Sequence, residues 1–364
     1  MYLNPNYELS IVNSHYILIN KKEDKYYDID KETYDFLLML NEIDDSPDIQ
    51  ARKNFLIEHG IIIDNTSQIS INSKGMQERG GFSVTKIKLF GLNVNSCIDK
   101  SKILSNICNS NKLISYLRIT AAIGVILSVI ITVWACPHFL YQVQNSSKRI
   151  LTYLPFVYCS ILLITCLHEV GHVFVCKHFC HYVGKCGVML FFVTPVLYTN
   201  TTISSFLPAK QKYKVIAAGI EMQIAISGML SIVIAVLLFF GDFRWTAIYL
   251  VNLMNITYVL LNLNPLFKYD GYWLLSTKWN TERLYEKSIC EVKAVFSLKY
   301  NKKINKKKFL FGIAVICFYL IMWIGTIWTI YTLLYPIIEG YSYCVIGVVI
   351  LLVVCEIVKW IKTK

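Results

Sequence analysis

The residues best suited to chemistry in this sequence form the motif His168-Glu169-Val170-Gly171-His172. On an α-helix, residues four apart lie one above the other on the same face, so both imidazoles can bind one ion. The glutamate of such a motif acts as the general base of a metal-dependent hydrolase. A catalytic zinc ion has three protein ligands and an open position for water, so the two histidines require a third protein ligand.

The motif follows an uncharged run that is long enough to span a membrane. Residues 150–167 are 18 residues without a charge, which is typical of a membrane-spanning helix. Two histidines and a glutamate at the end of such a helix are costly if they are left unpaired. The alternative is that the short HExxH pattern occurs here by chance. The free-energy cost of leaving its polar side chains unpaired favours a metal site instead.

Composition indicates an integral membrane protein. Of the 364 residues, 55% are hydrophobic, and they are concentrated in long uncharged runs. The net charge is +12, and the lysines crowd into loops beside these apolar runs. They form no basic stripe with interleaved aromatic residues, so we expect no nucleic-acid partner. We predict an α-helical polytopic membrane domain over residues 113–364, in contact with the lipid bilayer. Its six predicted spans are residues 119–136, 150–177, 215–240, 245–267, 309–336 and 343–359.

The distribution of basic residues predicts the orientation of the chain. Lysine and arginine are enriched in cytoplasmic loops. Residues 266–308 contain 11 of them, whereas residues 137–150 contain two, so the first segment is predicted to be cytoplasmic. We therefore expect a multi-pass membrane protein with both termini in the cytoplasm. The same orientation places the motif near the cytoplasmic end of its span.

Asp270 is the predicted third ligand. It follows the fourth span, which Pro265 ends because the proline ring removes an amide donor and clashes with the preceding turn. The predicted orientation puts this end at the same depth as the two histidines, where non-helical backbone is tolerated if it lines a cavity. The alternative is an ordinary turn aspartate. The metal site is favoured because Asp270 is predicted at the same membrane depth as the two histidines and would supply the third ligand that they require.

Two motifs together carry a resemblance to a known family. HEVGH at 168–172 and NPLFKYDG at 264–271 resemble the site-2 protease family of intramembrane zinc metalloproteases, in particular its bacterial peptide zinc metalloprotease branch. The resemblance covers about residues 151–276. It implies a Zn²⁺ ion, a peptide or single-span protein substrate, and these roles: metal ligands His168, His172 and Asp270, catalytic base Glu169, and substrate or oxyanion binding by Asn264.

We therefore expect an intramembrane zinc endopeptidase that hydrolyses membrane-embedded or membrane-associated peptides. Maturation of a ribosomally made, modified, bacteriocin-like peptide is its expected role. The alternative is a non-catalytic membrane peptide-binding, immunity or export partner, which degraded motifs would favour, whereas both motifs here are intact. A transporter with repeated halves would carry a second copy of the motifs, and the sequence has none.

Residues 1–85 are predicted to form a small cytosolic α+β domain. Strand, strand, helix, helix and strand patterns follow one another in segments 10–20, 25–30, 31–40, 49–59 and 60–64. This order resembles the winged-helix-like peptide-recognition domain of the PqqD type, which implies binding of a leader peptide. A plain cytosolic cap is the alternative. Residues 86–112, rich in Asn, Ser and Lys, are predicted to be a linker.

Glu221 and the segment 187–202 each leave two interpretations open. Glu221 lies inside the third span, where it could orient a zinc-binding histidine or could be a helix-packing carboxyl satisfied by a neighbour such as Asn252 or Asn255. The apolar segment 187–202 could bind an extended substrate as an added strand, or it could be an ordinary hydrophobic loop.

The cysteines are expected to be mainly structural. Most of the 12 lie in or beside apolar segments, where a thiol behaves as a small apolar group. Cys176, Cys180 and Cys186 lack a CxxC pair, so a second metal site there is the less favoured interpretation.

Overall fold

The protein is mostly helical and divides into two compact units, Met1–Lys278 and Trp279–Lys364. Five of its described helices are long and apolar enough to cross a membrane, as expected of a multi-pass membrane protein. The computed structural model describes residues 2–39, 47–63, 86–110, 112–191, 194–296, 305–338 and 347.

The first unit begins with a small α+β region. Its elements are β1 (Tyr2–Leu3), β2 (Tyr7–Val12), β3 (His15–Asn20), β4 (Lys25–Ile29), α1 (Lys31–Leu38), α2 (Pro47–Glu58) and β5 (Ile62–Ile63). Strands β2, β3 and β4 form an antiparallel sheet with β3 in the middle, and β1 pairs with β5. Asp30 caps α1, because its carboxylate accepts a hydrogen bond from the amide of Thr33 at 3.1 Å.

The segment 10–20, predicted as one strand, is part of a hairpin. The chain reverses at Asn13 and Ser14, which both have positive φ angles, 47° and 64°. Two such residues make the tight turn whose twist matches that of the flanking strands, and asparagine tolerates this conformation better than most residues.

Most of the predicted linker is folded. It contains β6 (Lys86–Leu92), α3 (Asn95–Lys100) and α4 (Lys102–Asn109). Polar residues of this segment cap helices and form hydrogen bonds with backbone groups. For example, the Ser101 hydroxyl accepts a hydrogen bond from the amide of Leu104 at the start of α4. Leu104 and Cys108 of α4 then pack into the hydrophobic core. The linker prediction therefore differs from the structure over residues 86–109.

Four long helices form the membrane part of the first unit. The elements are α5 (Leu113–Thr152), α6 (Leu154–Cys180), β7 (Cys186–Phe191), β8 (Thr194–Thr199), a 3₁₀ turn (Thr202–Phe206), α7 (Ala209–Phe239), α8 (Trp245–Leu263) and the short α9 (Asp270–Lys278). α7 is central and packs against α5, α6, α8 and α9. The first four predicted spans coincide with α5 to α8. β6, β7 and β8 form an antiparallel sheet with β7 in the middle.

The second unit contains α10 (Leu284–Phe296) and α11 (Lys306–Ile338). The fifth predicted span lies within α11, of which Lys306–Thr326 has the length and hydropathy of a membrane helix. The sixth predicted span, residues 343–359, lies outside the described residues except for Gly347.

Candidate metal centre

Two separate segments bring the predicted ligands together. α6 carries His168 and His172 one turn apart, and both side chains are buried. α8 ends at Leu263, and the chain turns before it re-enters a helix at Asp270. Gly271 allows this turn to lie against α8, because a Cβ at 271 would be only 2.5 Å from the carbonyl carbon of Leu263. Asp270 is thereby placed against the two histidines.

The three ligand atoms form a nearly equilateral triangle. His168 Nε2 and His172 Nε2 are 3.1 Å apart, and Asp270 Oδ2 lies 3.2 Å and 3.3 Å from them. The side chains are 9%, 9% and 19% exposed, so water does not separate them. Among the described residues, this is the only group of at least three His, Cys, Asp or Glu side chains placed to hold a metal ion.

The second nitrogen of each imidazole already has a partner. His168 Nδ1 lies 3.0 Å from Gln223 Oε1, and His172 Nδ1 lies 2.9 Å from the carbonyl oxygen of Val215. Both partners are acceptors, so each Nδ1 carries the proton and each neutral ring keeps its lone pair on Nε2. In the neutral form that binds a metal, each Nε2 therefore presents its lone pair next to the Asp270 carboxylate.

Three such electron pairs fit a small divalent cation. Tetrahedral zinc with bonds of about 2.05 Å has ligand atoms about 3.3 Å from one another, and the observed separations are 3.1, 3.2 and 3.3 Å. Asp270 Oδ2 is also buried without a hydrogen-bond donor. Because a buried carboxylate oxygen without a partner is costly, a cation at this point would satisfy all three groups.

The carboxyl group of Asp270 is in the charge state that a metal requires. Burial acts to raise its pKa, but the interactions with His172 and His168 lower the pKa by more, to a value below the ordinary range. A metal cation held by the same imidazoles acts in the same direction. The carboxylate is therefore ionised at neutral pH.

Gly219 on α7 borders the ligand atoms directly. A Cβ at this position would lie 2.6 Å from His168 Nε2 and closer still to His172 Nε2. A larger residue would therefore displace the imidazoles or fill the space between them. In the sequence Gly219 is one of several small residues in a span, and only the packing of α7 on α6 shows its role.

Glu169, the predicted base, is half-buried next to the first ligand. Within the described ranges, no hydrogen bond or ion pair holds this carboxylate. Asn264 ends α8, and its Oδ1 accepts a hydrogen bond from the amide of Leu266 at 2.9 Å, which leaves its NH₂ group as a donor. The substrate role of Asn264 stays a prediction.

The sequence analysis missed Gln223, which supports His168 from α7. Gln223 is 1% exposed, and its Oε1 accepts hydrogen bonds from His168 Nδ1 and from Asn262 Nδ2, both at 3.0 Å. The donation from Asn262 identifies this atom as the amide oxygen. A buried glutamine in a span four residues after Gly219 is the signal that could have suggested this partner, since residues i and i+4 share one helix face.

Glu221 is a carboxylate satisfied by a neighbouring helix, as in the second interpretation, but its partner is Arg118 rather than Asn252 or Asn255. Its carboxylate pairs with Arg118 Nε of α5 at 3.3 Å. Asn252 instead accepts a hydrogen bond from Ser227, and Asn255 donates one to the carbonyl oxygen of Gln223. Glu221 lies two residues from both Gly219 and Gln223, so helical geometry turns it away from α6 and towards α5.

Replacing Gln223 with leucine is expected to weaken zinc binding by about 10- to 100-fold. Without the acceptor, the proton of His168 is no longer held on Nδ1, and the ring loses its orientation. Zinc affinity is measured by competition with a chelator of known affinity. Glu221→Gln, two residues away on the other helix face, is the matched control and should bind zinc as the wild type does. Equal affinities for Gln223→Leu and the wild type would contradict this role.

Cys176, Cys180 and Cys186 lie at the end of α6 and the start of β7. Cys176 and Cys180 are fully buried in the core at the end of α6, as expected of small apolar groups. The Cys176 thiol faces the carbonyl oxygen of Tyr182 at 3.7 Å.

The segment 187–202 forms strands of the chain's own sheet. β7 occupies the middle position, between β6 and β8, and β8 is an edge strand next to α6. The segment is therefore more ordered than a plain hydrophobic loop, and strand addition at its edge stays a prediction.

Comparison with protein-family models, with curated proteins and with solved structures found no match for this chain. The fold and the site define it as a multi-pass membrane protein with a buried His-His-Asp group that could hold a metal ion.

Proposed function

We propose that this chain is an intramembrane zinc endopeptidase. The observation that carries the proposal is the convergence of His168, His172 and Asp270 at a buried site, with Glu169 beside the first ligand. Two nitrogen ligands and one oxygen ligand favour zinc over magnesium or calcium, which prefer oxygen ligands alone. Three protein ligands are also the number found in catalytic zinc sites.

The chain's own groups suit peptide hydrolysis. A bound zinc ion supplies Lewis-acid activation of water and of the scissile carbonyl group. Glu169 accepts a proton from the attacking water and passes it to the leaving amine. Its carboxylate has no competing hydrogen bond among the described residues, which supports this role. The NH₂ group of Asn264 donates a hydrogen bond to the developing oxyanion, a contribution of about 3 kcal/mol.

The hairpin beside α6 offers a place for an unwound substrate. A helical peptide satisfies its carbonyl groups internally, so it must become extended before hydrolysis. β8 lies at the edge of its sheet and next to the helix that carries Glu169, which supports binding of substrate as an added strand.

The wider proposal follows the resemblance of the two motifs to the site-2 protease family. It comprises six spans in a bacterial plasma membrane, both termini in the cytoplasm, and a winged-helix-like N-terminal domain that binds the leader of a ribosomally made peptide. The sheet and helices of residues 2–63 and the five apolar helices support this arrangement.

A cleavage assay tests the proposed function. The purified protein in detergent is loaded with zinc and mixed with a panel of single-span peptides that carry a fluorophore and a quencher. We expect the wild type to cleave at least one peptide, and a zinc chelator to stop cleavage. Glu169→Gln should bind zinc normally but cleave about 100-fold or more slowly, because it cannot accept the proton.

The alternative function predicts a different outcome. If the wild type binds peptides and zinc but cleaves none of them, and Glu169→Gln binds the same peptides equally well, the chain is a non-catalytic peptide-binding protein. Mass spectrometry of the reaction mixtures distinguishes binding from hydrolysis in both cases.

A further inference from the structure

The connection between α6 and β7 links the helix that carries the candidate site to the middle strand of the β6–β7–β8 sheet. It comprises residues 181–185 and has no helix or strand of its own. Two buried polar side chains from earlier parts of the chain, Asp24 and Asn95, bind its backbone.

Asp24 binds the open end of the β7–β8 hairpin. It lies in the turn between β3 and β4 with a φ angle of 58° and is 9% exposed. Its Oδ2 accepts hydrogen bonds from the amide of Lys185 at 3.1 Å and from Asn200 Nδ2 at 2.6 Å. Lys185 precedes β7 and Asn200 follows β8, and the Asn200 amide donates to the Lys185 carbonyl oxygen at 3.0 Å. One carboxylate therefore holds both ends of the hairpin together.

Asn95 binds the same connection two residues earlier. Its Nδ2 donates to the carbonyl oxygen of Val183 at 2.6 Å, and its Oδ1 accepts from the amide of Val183 at 3.0 Å. The side-chain amide thus satisfies both backbone groups of one residue, as a neighbouring strand would. Lys177 Nζ of α6 also donates to Asn95 Oδ1 at 3.3 Å. The start of α3 is in this way joined to the end of α6.

The contact around Asp24 is closely packed. The Tyr26 hydroxyl donates to Asp24 Oδ1 at 3.1 Å, and a Cβ at Gly184 would lie 2.5 Å from that hydroxyl oxygen. Burial raises the pKa of Tyr26, and the neighbouring Asp24 carboxylate raises it further, so the hydroxyl stays protonated and able to donate. There is no room for a side chain at position 184.

The N-terminal sheet also shares a hydrophobic core with α6. Val12 and Ile17 from β2 and β3 belong to the same buried cluster as Val175 and Cys180 of α6 and Val183 of the connection. The sheet is therefore packed against the C-terminal end of the motif helix.

The β7–β8 hairpin also packs against the motif helix itself. β8 lies against α6, the helix that carries Glu169 and both histidines.

We propose that Asp24 and Asn95 are positioning residues that hold the β7–β8 hairpin against α6, the helix that carries Glu169, so that the N-terminal region is a structural part of the candidate site. The consequence for catalysis rests on the proposed function. The positioning of the hairpin can be tested separately, because it is measured by exchange of backbone amides. A peptide that moves the β3–β4 turn would also move the hairpin next to α6.

Hydrogen exchange of the full chain in detergent tests the positioning. Asp24→Ala is expected to speed exchange of the Lys185 amide by about 10-fold or more, and Asn95→Ala that of the Val183 amide. Asp24→Asn, which keeps one acceptor oxygen, should have an intermediate effect. Asp28→Ala is the control, since Asp28 lies in β4 near Asp24 but is exposed and bonded to His15.

The readouts separate positioning from loss of fold and from failure of the proposed function. Zinc content should stay at that of the wild type in all four variants, and in a peptide assay kcat should fall about 10-fold for Asp24→Ala with zinc still bound. Wild-type exchange at Lys185 in Asp24→Ala and Asp24→Asn would overturn the proposal. If the wild type cleaves no peptide, the proposed function fails, while the exchange result still decides whether Asp24 and Asn95 position the hairpin.

Discussion

Asp270→Ala is expected to remove bound zinc from the protein while leaving its helices intact. The variant deletes the only oxygen of the three ligand atoms and leaves two histidines, which are too few for a stable zinc site. Even loss of a residue that only orients a ligand costs 10- to 100-fold in metal affinity, so loss of a ligand should cost more than about 100-fold. Zinc per chain is measured by elemental analysis after gel filtration, with circular dichroism as the check on folding.

The control for this experiment is Asp242→Ala. Asp242 lies between α7 and α8 and pairs with Arg244, so its loss should leave the zinc content unchanged. His168→Ala should behave like Asp270→Ala, whereas Glu169→Gln should keep its zinc. Retention of one zinc ion by both Asp270→Ala and His168→Ala would exclude the three-residue site.

Gly219→Ala is expected to abolish zinc binding although it changes no ligand. The added methyl group would lie 2.6 Å from His168 Nε2, closer than two non-bonded atoms can approach, and would stand in the space where the lone pairs meet. Only a movement of the imidazoles could relieve this overlap. Their hydrogen bonds to Gln223 and to the Val215 carbonyl group, both on α7, oppose such a movement. We expect a fall in zinc affinity of at least about 100-fold, comparable to the loss of a ligand.

Gly325→Ala is the matched control for this substitution. Gly325 lies in the apolar helix α11, where an added Cβ would meet nothing within 4 Å. Alanine favours helix at both positions, so a loss of zinc confined to Gly219→Ala comes from the site rather than from the helix. Normal zinc affinity in Gly219→Ala would show that the histidines do not meet the ion on the α7 side.

Some parts of the candidate site could be predicted because they depend on local geometry. The spacing of His168 and His172 places them on one face of any helix, whatever surrounds it. Pro265 ends α8 for a reason contained in its own ring, and the turn that follows presents Asp270. The four spans that correspond to α5–α8 follow from runs of apolar residues. The cap of α1 by Asp30 is equally local.

Other parts could not be predicted because they depend on which elements pack together. Gln223 and Glu221 are both polar residues in one span, and only the neighbours of α7 decide that the first supports His168 and the second pairs with Arg118. The polar residues of the predicted linker, among them Asn95, bind backbone 88 residues away along the chain. Composition describes such residues correctly as polar but does not identify their partners.

The sequence by itself determined the spans, the histidine pair with its glutamate, and the carboxylate that follows a broken helix, because each depends on residues within a few turns of one another. The tertiary structure alone decided that these atoms meet within 3.3 Å, that Gly219 leaves room between them, and that Asp24 joins the N-terminal sheet to the neighbouring hairpin. These features require close packing and buried hydrogen bonds between distant segments, whose free energy is gained only when the whole unit folds.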